Sequence, residues 1–420
     1  MKQLIKKILK KLKFVRKLHR FIIDDYNKTK ERNVNIDEIT PLKGTEGIDN
    51  DKIRLNLLIP TLKKEHVFGG ITTAIKIFNE IAGDEFDKRI ILTDSDVHDE
   101  DLAILDRAEI VSIRSKSKAE FQVIAANERL NYCLPVTKND IFIATSWWSA
   151  YILKPFIKWQ NETLECDHKM IYLIQDYEPG FQPWSSRYVL ADSTYKNGED
   201  IIAIFNTKLL KDFFLLEKYT FYKEYYFEPV LNETLKRILL KSDSKKNLRK
   251  KQMIVYGRAN VDRNCFEIIV GSLRDLLNKY EDAMEWDFIS LGENHPAIDL
   301  GKGKQLISKG KVSLEEYANI MLESSVGLSL MVSPHPSYPP LEMSTFGVIT
   351  ITNTYKNKDL SEFNDNIRSV SDCSFENLAY EIQKAMNESE KGNNISINEL
   401  YVNSNTSLSK MCKEIHNEIQ

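Results

Sequence analysis

Short apolar runs recur along the chain, each followed by a polar loop and then by a stretch with helical periodicity. Arg54–Pro60 (RLNLLIP) predicts a first strand and Ile71–Ala82 the helix after it. Strand-like runs continue at Arg89–Leu92, Glu109–Ile113, Asp140–Ala144, Ile171–Ile174, Ile201–Phe205 and Tyr225–Val230. The polar stretch Lys241–Lys251 (KSDSKKNLRKK) interrupts the pattern and marks a domain boundary. Met253–Gly257 restarts it, followed by helical Phe266–Leu277, the strand Trp286–Leu291 and a helix Leu314–Leu322. That helix has Ser313 as N-cap and Glu316 at the capping-box position. The run Val326–Val332 suits a strand buried on both faces; Val348–Thr352 is the next strand, and Leu408–Ile419 a final helix. Strands alternating with helices predict an α/β protein built on parallel, helix-covered sheets. The pattern divides the chain into a helix over 1–26, a linker over 27–50, sheet domains over 51–240 and 251–404, and a C-terminal helix over 405–420.

Composition narrows the class. A chain of 420 residues with 42% hydrophobic and 28% charged residues is long enough for two such domains. A net charge of −3 argues against general nucleic-acid binding. Cys133, Cys166, Cys265, Cys373 and Cys412 form no CxxC pair, which favours reduced thiols in a cytoplasm and offers no zinc spacing. No run of about 18 apolar residues is present to span a membrane. The first twenty residues, however, contain nine Lys or Arg and no acid, with Leu4, Ile5, Ile8, Leu12 and Val15 on one helical face. Such a helix lies flat in a membrane interface or packs on the protein's own body or a partner.

Candidate chemistry gathers where predicted strands end. After Val326–Val332 comes a stiff loop with four prolines in Pro334–Pro340, then a helix expected to start near Pro340. The first-turn N–H groups at Leu341–Ser344 would face an anion, and Glu342 would accept from sugar hydroxyls. Gly69 and Gly70, at the first strand-to-helix turn, permit close backbone approach to a ligand, with His66 beside them as a base or polar anchor. Asp176 and Glu178 follow the Ile171–Ile174 strand and are placed to orient or deprotonate a hydroxyl. Arg258 and Arg263 follow Met253–Gly257 and are placed to clamp a diphosphate. Asp94-Ser95-Asp96 is either a solvated acidic loop or a metal pair of the type found in another class of sugar transferase.

Two such halves, with Gly-Gly in the first and Arg, Arg and Glu in the second, resemble the GT-B glycosyltransferases, whose two Rossmann-like domains face a central cleft. The second half resembles glycosyltransferase family 4, in which a Gly-Arg pair and a base five residues on grip the donor diphosphate; those positions are Arg258 and Arg263. That family also has two glutamates separated by seven residues. Glu342 matches the ribose-binding second one, while Pro334 stands at the first. HVFGGI, LIQDYEPGF, YGR, LGENHP, SLEEYA, SLMVSPHPSYPPLEM and ITNTYKNKDLS, within about residues 54–361, are similar to bacterial rhamnosyltransferases of the WsaF type. The resemblance implies transfer of L-rhamnose from dTDP-L-rhamnose to a sugar hydroxyl of a surface glycan, with retention and without a metal cofactor. It implies donor contacts from Gly69, Gly70, Arg258, Arg263, Lys311, Val312, Tyr338, Leu341 and Glu342, with the Lys311–Ser313 turn meeting the base. Asp176, Glu178 and His66 would serve the acceptor. The basic helix suits a cytoplasmic enzyme held at the inner face of the cell membrane and working on a lipid-linked acceptor. A UDP- or GDP-sugar donor, or a catalytically silent scaffold of the same fold, are the rival expectations.

Overall fold

The computed structural model describes residues 35–48, 51–64, 69–242, 249–403 and 406–420. The basic helix expected over 1–26 and His66 lie outside them. The described residues divide between Thr40 and Pro41 into two contact units. In the first, a 3-10 turn, Asp37–Ile39, is closed by Thr40 Oγ1 donating to Asp37 O at 2.7 Å. All other described elements belong to the second.

Arg54–Ile59 is buried at every position. Leu55, Leu57 and Ile59 enter one apolar layer and Leu58 the other, the two-residue period of a strand covered on both faces. It sits inside a sheet of eight parallel strands. Their spatial order is Phe221–Tyr226, Gly198–Phe205, Met170–Ile174, Asp140–Ala144, Arg54–Ile59, Asp87–Leu92, Phe121–Ala125 and Glu109–Ile110. A second sheet has seven strands, ordered Ile298–Gly301, Lys304–Gly310, Asp287–Gly292, Lys250–Gly257, Ser324–Leu328, Ile349–Asn353 and Ile367–Val370. It is parallel except for the outermost hairpin. Met253 and Val255 point into one layer and Ile254 into the other, the same burial logic as in the first sheet.

Each sheet begins in its middle and grows outward in both directions. Strand order therefore reverses beside Arg54–Ile59 in the first sheet and beside Lys250–Gly257 in the second. Ligands of open α/β sheets bind beyond the strand ends at such reversals. Below the other end of the first sheet lies a buried charge network. Asp140 Oδ1 is 3.3 Å from Arg89 Nη2 and 3.9 Å from Arg54 Nη1, and accepts from Asn56 Nδ2 at 3.1 Å. Its Oδ2 accepts from the Thr137 N–H at 2.7 Å.

Several boundaries differ from the sequence reading. Residues 43–46, read as linker, form a strand paired in parallel with Cys133–Val136. Leu42 is buried there, and Gly44 lies so close to the Trp159 ring that a Cβ would sit 1.8 Å from it. The last strand of the first sheet is Phe221–Tyr226 rather than Tyr225–Val230. The strand expected over Val326–Val332 ends at Leu328, because Met331 pairs with the Asn353 side chain instead of a neighbouring strand.

The C-terminal helix is Thr406–Ile419, and it packs on the first sheet's layer although it follows the second sheet in the chain. Leu408, Met411, Cys412 and Ile415 are buried in that layer, His416 Nδ1 lies 2.7 Å from Ile81 O, and its ring stacks on Phe86 at 4.5 Å. The chain thus passes between the sheets twice. The Leu231 N–H of the first passage donates to Tyr401 O, just before the second, at 2.8 Å.

Candidate active site

A cleft of about 420 Å³ opens between the two sheets, lined by the loops that follow their strands. Gly69, Gly70, Asp176, Glu178, Arg258, Arg263 and Tyr338 all border it. Sequence spacing alone had placed them in separate loops, and the two reversals of strand order bring them together.

Strand register fixes the arginine side. Gly257 pairs with Gly292 across adjacent parallel strands, so the residues after them, Arg258 and Glu293, emerge side by side. Arg258 Nε donates to Glu293 Oε1 at 3.1 Å, which aims the guanidinium. Gly257 is required by packing, since a Cβ there would lie 2.0 Å from Ser290 Oγ. Arg263 sits in the 3-10 turn Asp262–Asn264, its guanidinium 4.1 Å from the centre of the Phe181 ring and its Nε 4.0 Å from Asp176 Oδ2. That Nε is buried and makes no hydrogen bond. Burial lowers the Arg263 pKa, with Asp176 opposing.

The loop after Met170–Ile174 is pinned by Tyr177, whose ring packs against Phe213 at 5.1 Å and Phe214 at 5.8 Å. Asp176 and Glu178 flank that anchor and line the cleft. Asp176 Oδ1 accepts from the Tyr177 N–H at 2.8 Å and from the Ser333 hydroxyl of the opposite domain. Asp176 therefore bridges the cleft, an engagement that its expected acceptor role does not by itself predict. Glu178 Oε2 accepts from the Trp147 N–H, in the first turn of the helix Trp147–Leu164. Burial pushes the Glu178 carboxyl up to about 8, with the Trp147 N–H opposing. A carboxyl that is more basic in the folded chain favours folding at low pH, and that stabilisation declines as pH rises from about 4.5 to about 8. Glu178→Gln should remove this decline, so the variant should gain in melting temperature relative to wild type across that window. A constant difference between the two proteins across it would contradict the buried carboxyl.

The proline loop differs from expectation in one consequential way. Its helix is Tyr338–Thr345, starting two residues before Pro340. Leu341 is 1% exposed, and its N–H, with those of Glu342 to Ser344, belongs to the intrahelical ladder. These amides cannot hold an anion. Pro339 and Pro340 bring no N–H, and the Ser337 N–H donates to His335 Nδ1 at 3.0 Å. Glu342 borders a second cavity of about 360 Å³ that shares Tyr338 with the first. Burial pushes its carboxyl up to about 7, against a hydrogen bond with Tyr317. Lys311 is exposed and Val312 is partly buried against the second sheet's core; neither borders the main cleft. Asp96 accepts from Asn127 Nδ2 at 2.9 Å, and among the described residues no group of three His, Cys, Asp or Glu is placed to hold a metal ion.

Sequence reasoning missed Glu293, Tyr256, Phe181, Asn206, Ser333 and His335. Glu293 was within reach: YGR and LGE are both apolar runs ending in Gly and then a charge, and adjacent parallel strands set the two charges together. Phe181, Asn206 and Ser333 gain their place only where the two domains meet and leave no local signal.

Comparison with known proteins agrees with this architecture. Residues 54–208 match the family described as WsaF, N-terminal domain, and residues 251–383 match WsaF, C-terminal domain. The O-antigen biosynthesis protein RfbC of Myxococcus xanthus is 29% identical over 214 residues, 51% of this chain but only 15% of that protein. Sucrose-phosphate synthase from Thermosynechococcus elongatus superposes with a TM-score of 0.51 at 10% identity, over 88% of this chain and 95% of that one. HepE of Anabaena, solved with UDP-glucose, gives 0.52 at 10% identity, over 87% and 95%. The fold is GT-B. Among the described residues no helix is long and apolar enough to cross a membrane.

Proposed function

The chain belongs to the WsaF family, and on that premise we propose that it is a glycosyltransferase of bacterial surface-glycan assembly, moving L-rhamnose from dTDP-L-rhamnose to a sugar hydroxyl of a lipid-linked acceptor with retention. The observation that carries this reading is the pairing of Arg258 and Arg263 at the strand-order reversal of the second sheet, facing Gly69 and Gly70 across one cleft.

In the proposed reaction the bond from the sugar's anomeric carbon to the diphosphate breaks, and the electron pair leaves with the phosphate oxygen. The acceptor oxygen bonds to that carbon and loses its proton. Charge accumulates on the diphosphate, so fixed cations aimed there stabilise the transition state. Arg258, oriented by Glu293, and Arg263, backed by Phe181, are those cations. Each charge-assisted hydrogen bond contributes about 1.5–3 kcal/mol, and two guanidiniums supply the charge without a metal ion. Glu342, which borders the adjoining cavity that shares Tyr338 with the cleft, would take the ribose. Gly69 and Gly70 leave room for the donor under the first domain. Glu178, with its carboxyl near neutrality, is the better placed group to exchange a proton with the acceptor hydroxyl, because Asp176 is engaged with Ser333.

The test is thermal stabilisation by dTDP, UDP and GDP in EDTA, for wild type and Arg258→Ala. A ligand at about a hundred times its dissociation constant stabilises by about 2.7 kcal/mol. Stabilisation by dTDP alone, lost in Arg258→Ala, is the expected result. A stronger response to UDP or GDP reassigns the donor, and no response to any of the three removes the transferase reading in favour of a silent scaffold. The nine basic residues among the first twenty support attachment to an anionic membrane surface. Sedimentation with vesicles containing anionic lipid, lost on deleting residues 1–22, is expected; equal sedimentation of both proteins would rule that role out.

A further inference from the structure

His335 lies in the turn between the Ser324–Leu328 strand and the Tyr338–Thr345 helix, and it borders the cleft. It is 6% exposed. Its N–H donates to Ser333 Oγ at 3.0 Å, and the Ser333 hydroxyl in turn donates to Asp176 across the cleft. Its ring is fixed on a second side by the Tyr338 ring, 5.5 Å away at 66°. Its Nδ1 lies 3.0 Å from the Ser337 nitrogen, and a backbone N–H only donates, so Nδ1 carries no proton. The proton of the imidazole is therefore on Nε2. Burial, together with Lys358 and Arg263 and against Asp176, keeps the ring neutral, its pKa pulled down to about 4. Nε2 itself is buried and has no hydrogen-bond partner.

A buried N–H donor without a partner is costly unless a ligand completes it. The character of that ligand follows from the other nitrogen. A phosphate at Nε2 would favour the doubly protonated ring, but the Ser337 N–H occupies Nδ1 and opposes a second proton. The position suits one neutral hydrogen bond to an uncharged oxygen. On the first domain's side of the cleft lies Asn206, 4% exposed just after the Gly198–Phe205 strand, whose Oδ1 is also buried and without a partner. One domain thus offers a neutral donor and the other a neutral acceptor, the pair that a sugar's hydroxyls satisfy, because each hydroxyl both donates and accepts.

We propose that His335 Nε2 donates to a hydroxyl of the transferred hexosyl group, so that His335 and Asn206 form the pocket for the donor's sugar while Arg258 and Arg263 hold its diphosphate. The assignment rests on the glycosyltransferase reading above and adds to it which residues recognise the sugar.

The experiment compares dissociation constants, by calorimetry, for dTDP and dTDP-L-rhamnose with wild type, His335→Ala and His335→Gln. UDP with UDP-glucose and GDP with GDP-mannose are run in parallel. His335→Ala is expected to leave the nucleoside diphosphate within about twofold and to weaken the nucleotide sugar about three- to tenfold, the worth of one neutral hydrogen bond. His335→Gln restores an N–H near the Nε2 position and should recover most of that loss. Asn206→Ala should show the same selective loss. Retained dTDP binding in each variant shows that the cleft is still assembled. Equal weakening of both ligands places His335 on the diphosphate and overturns the proposal, as does unchanged affinity for the nucleotide sugar. If no nucleoside diphosphate binds even the wild type, the glycosyltransferase reading fails and the sugar pocket with it.

Discussion

Arg263→Ala is expected to lower kcat/KM for transfer by about a hundred- to a thousandfold, the usual loss when one preorganised donor to developing charge is removed. Two contacts and one unmet donor converge on this side chain. It faces the Asp176 carboxylate at 4.0 Å, rests on Phe181 at 4.1 Å, and keeps its Nε free of hydrogen bonds at the edge of the cleft. Before donor arrives, Asp176 is its counter-ion. A diphosphate carries more charge and presents several oxygens, so it outcompetes one carboxylate for a planar guanidinium. Arg263→Lys keeps the charge but loses the planar fork and the stacking on Phe181, so it should recover only part of the activity. Calorimetry should show Asp176→Asn binding nucleoside diphosphate at least as tightly as wild type, because a competing anion has been removed. An Arg263→Ala protein with undiminished kcat/KM would take the residue out of the donor site.

Asp140→Ala carries the largest expected loss of stability, about 3–5 kcal/mol. Asp140 is fully buried between Arg54 and Arg89, which are 7% and 2% exposed. The remaining acid of the network, Asp87, lies 4.0 Å from Arg54 Nη2. Removing Asp140 leaves two buried guanidiniums beside a single carboxylate. Burial already pulls the Arg89 pKa down to about 10, with Asp140 the first of the groups that oppose it. The variant also strands the Thr137 N–H, which is bonded to that carboxylate, and takes one of three acceptors from the Asn56 amide. Chemical denaturation of wild type and variant measures the difference; a shift below about 1 kcal/mol would mean that water reaches the arginines and the network is not sealed.

Much of this architecture could be read from the chain because buried parallel strands are written as short apolar runs. RLNLLIP, DIFIA and MIVYG announce themselves. Phe121–Ala125 does not, because Gln122 interrupts the run; it is 2% exposed and its amide donates to the carbonyls of Ser117 and Ala119, so a polar letter stands at a core position. Lys43–Glu46 has no apolar pattern and exists because Gly44 admits the Trp159 ring. The site divides in the same way. Arg258 and Arg263 were legible from spacing after a strand-ending glycine. His335 was hidden within a proline loop, since its meaning depends on a hydrogen bond from Ser337 and on a wall supplied by Asn206, 129 residues earlier. The start of the helix at Tyr338, two residues early, was hidden by Pro339 and Pro340, which punctuate loops as readily as they occupy the first turn of a helix.

The double passage between the sheets, with Leu231 bonded to Tyr401, restricts how the cleft opens. Two bodies joined by one flexible strand of chain swivel freely, whereas two adjacent joins define a hinge line and leave one rotational degree of freedom. Opening about such a line would carry the Asp176 loop away from Arg263 and Ser333. The helix Thr406–Ile419 is the second pin of that hinge, because its apolar face is locked into the first sheet's layer. Its removal would unlock the alignment of a cleft that it never touches.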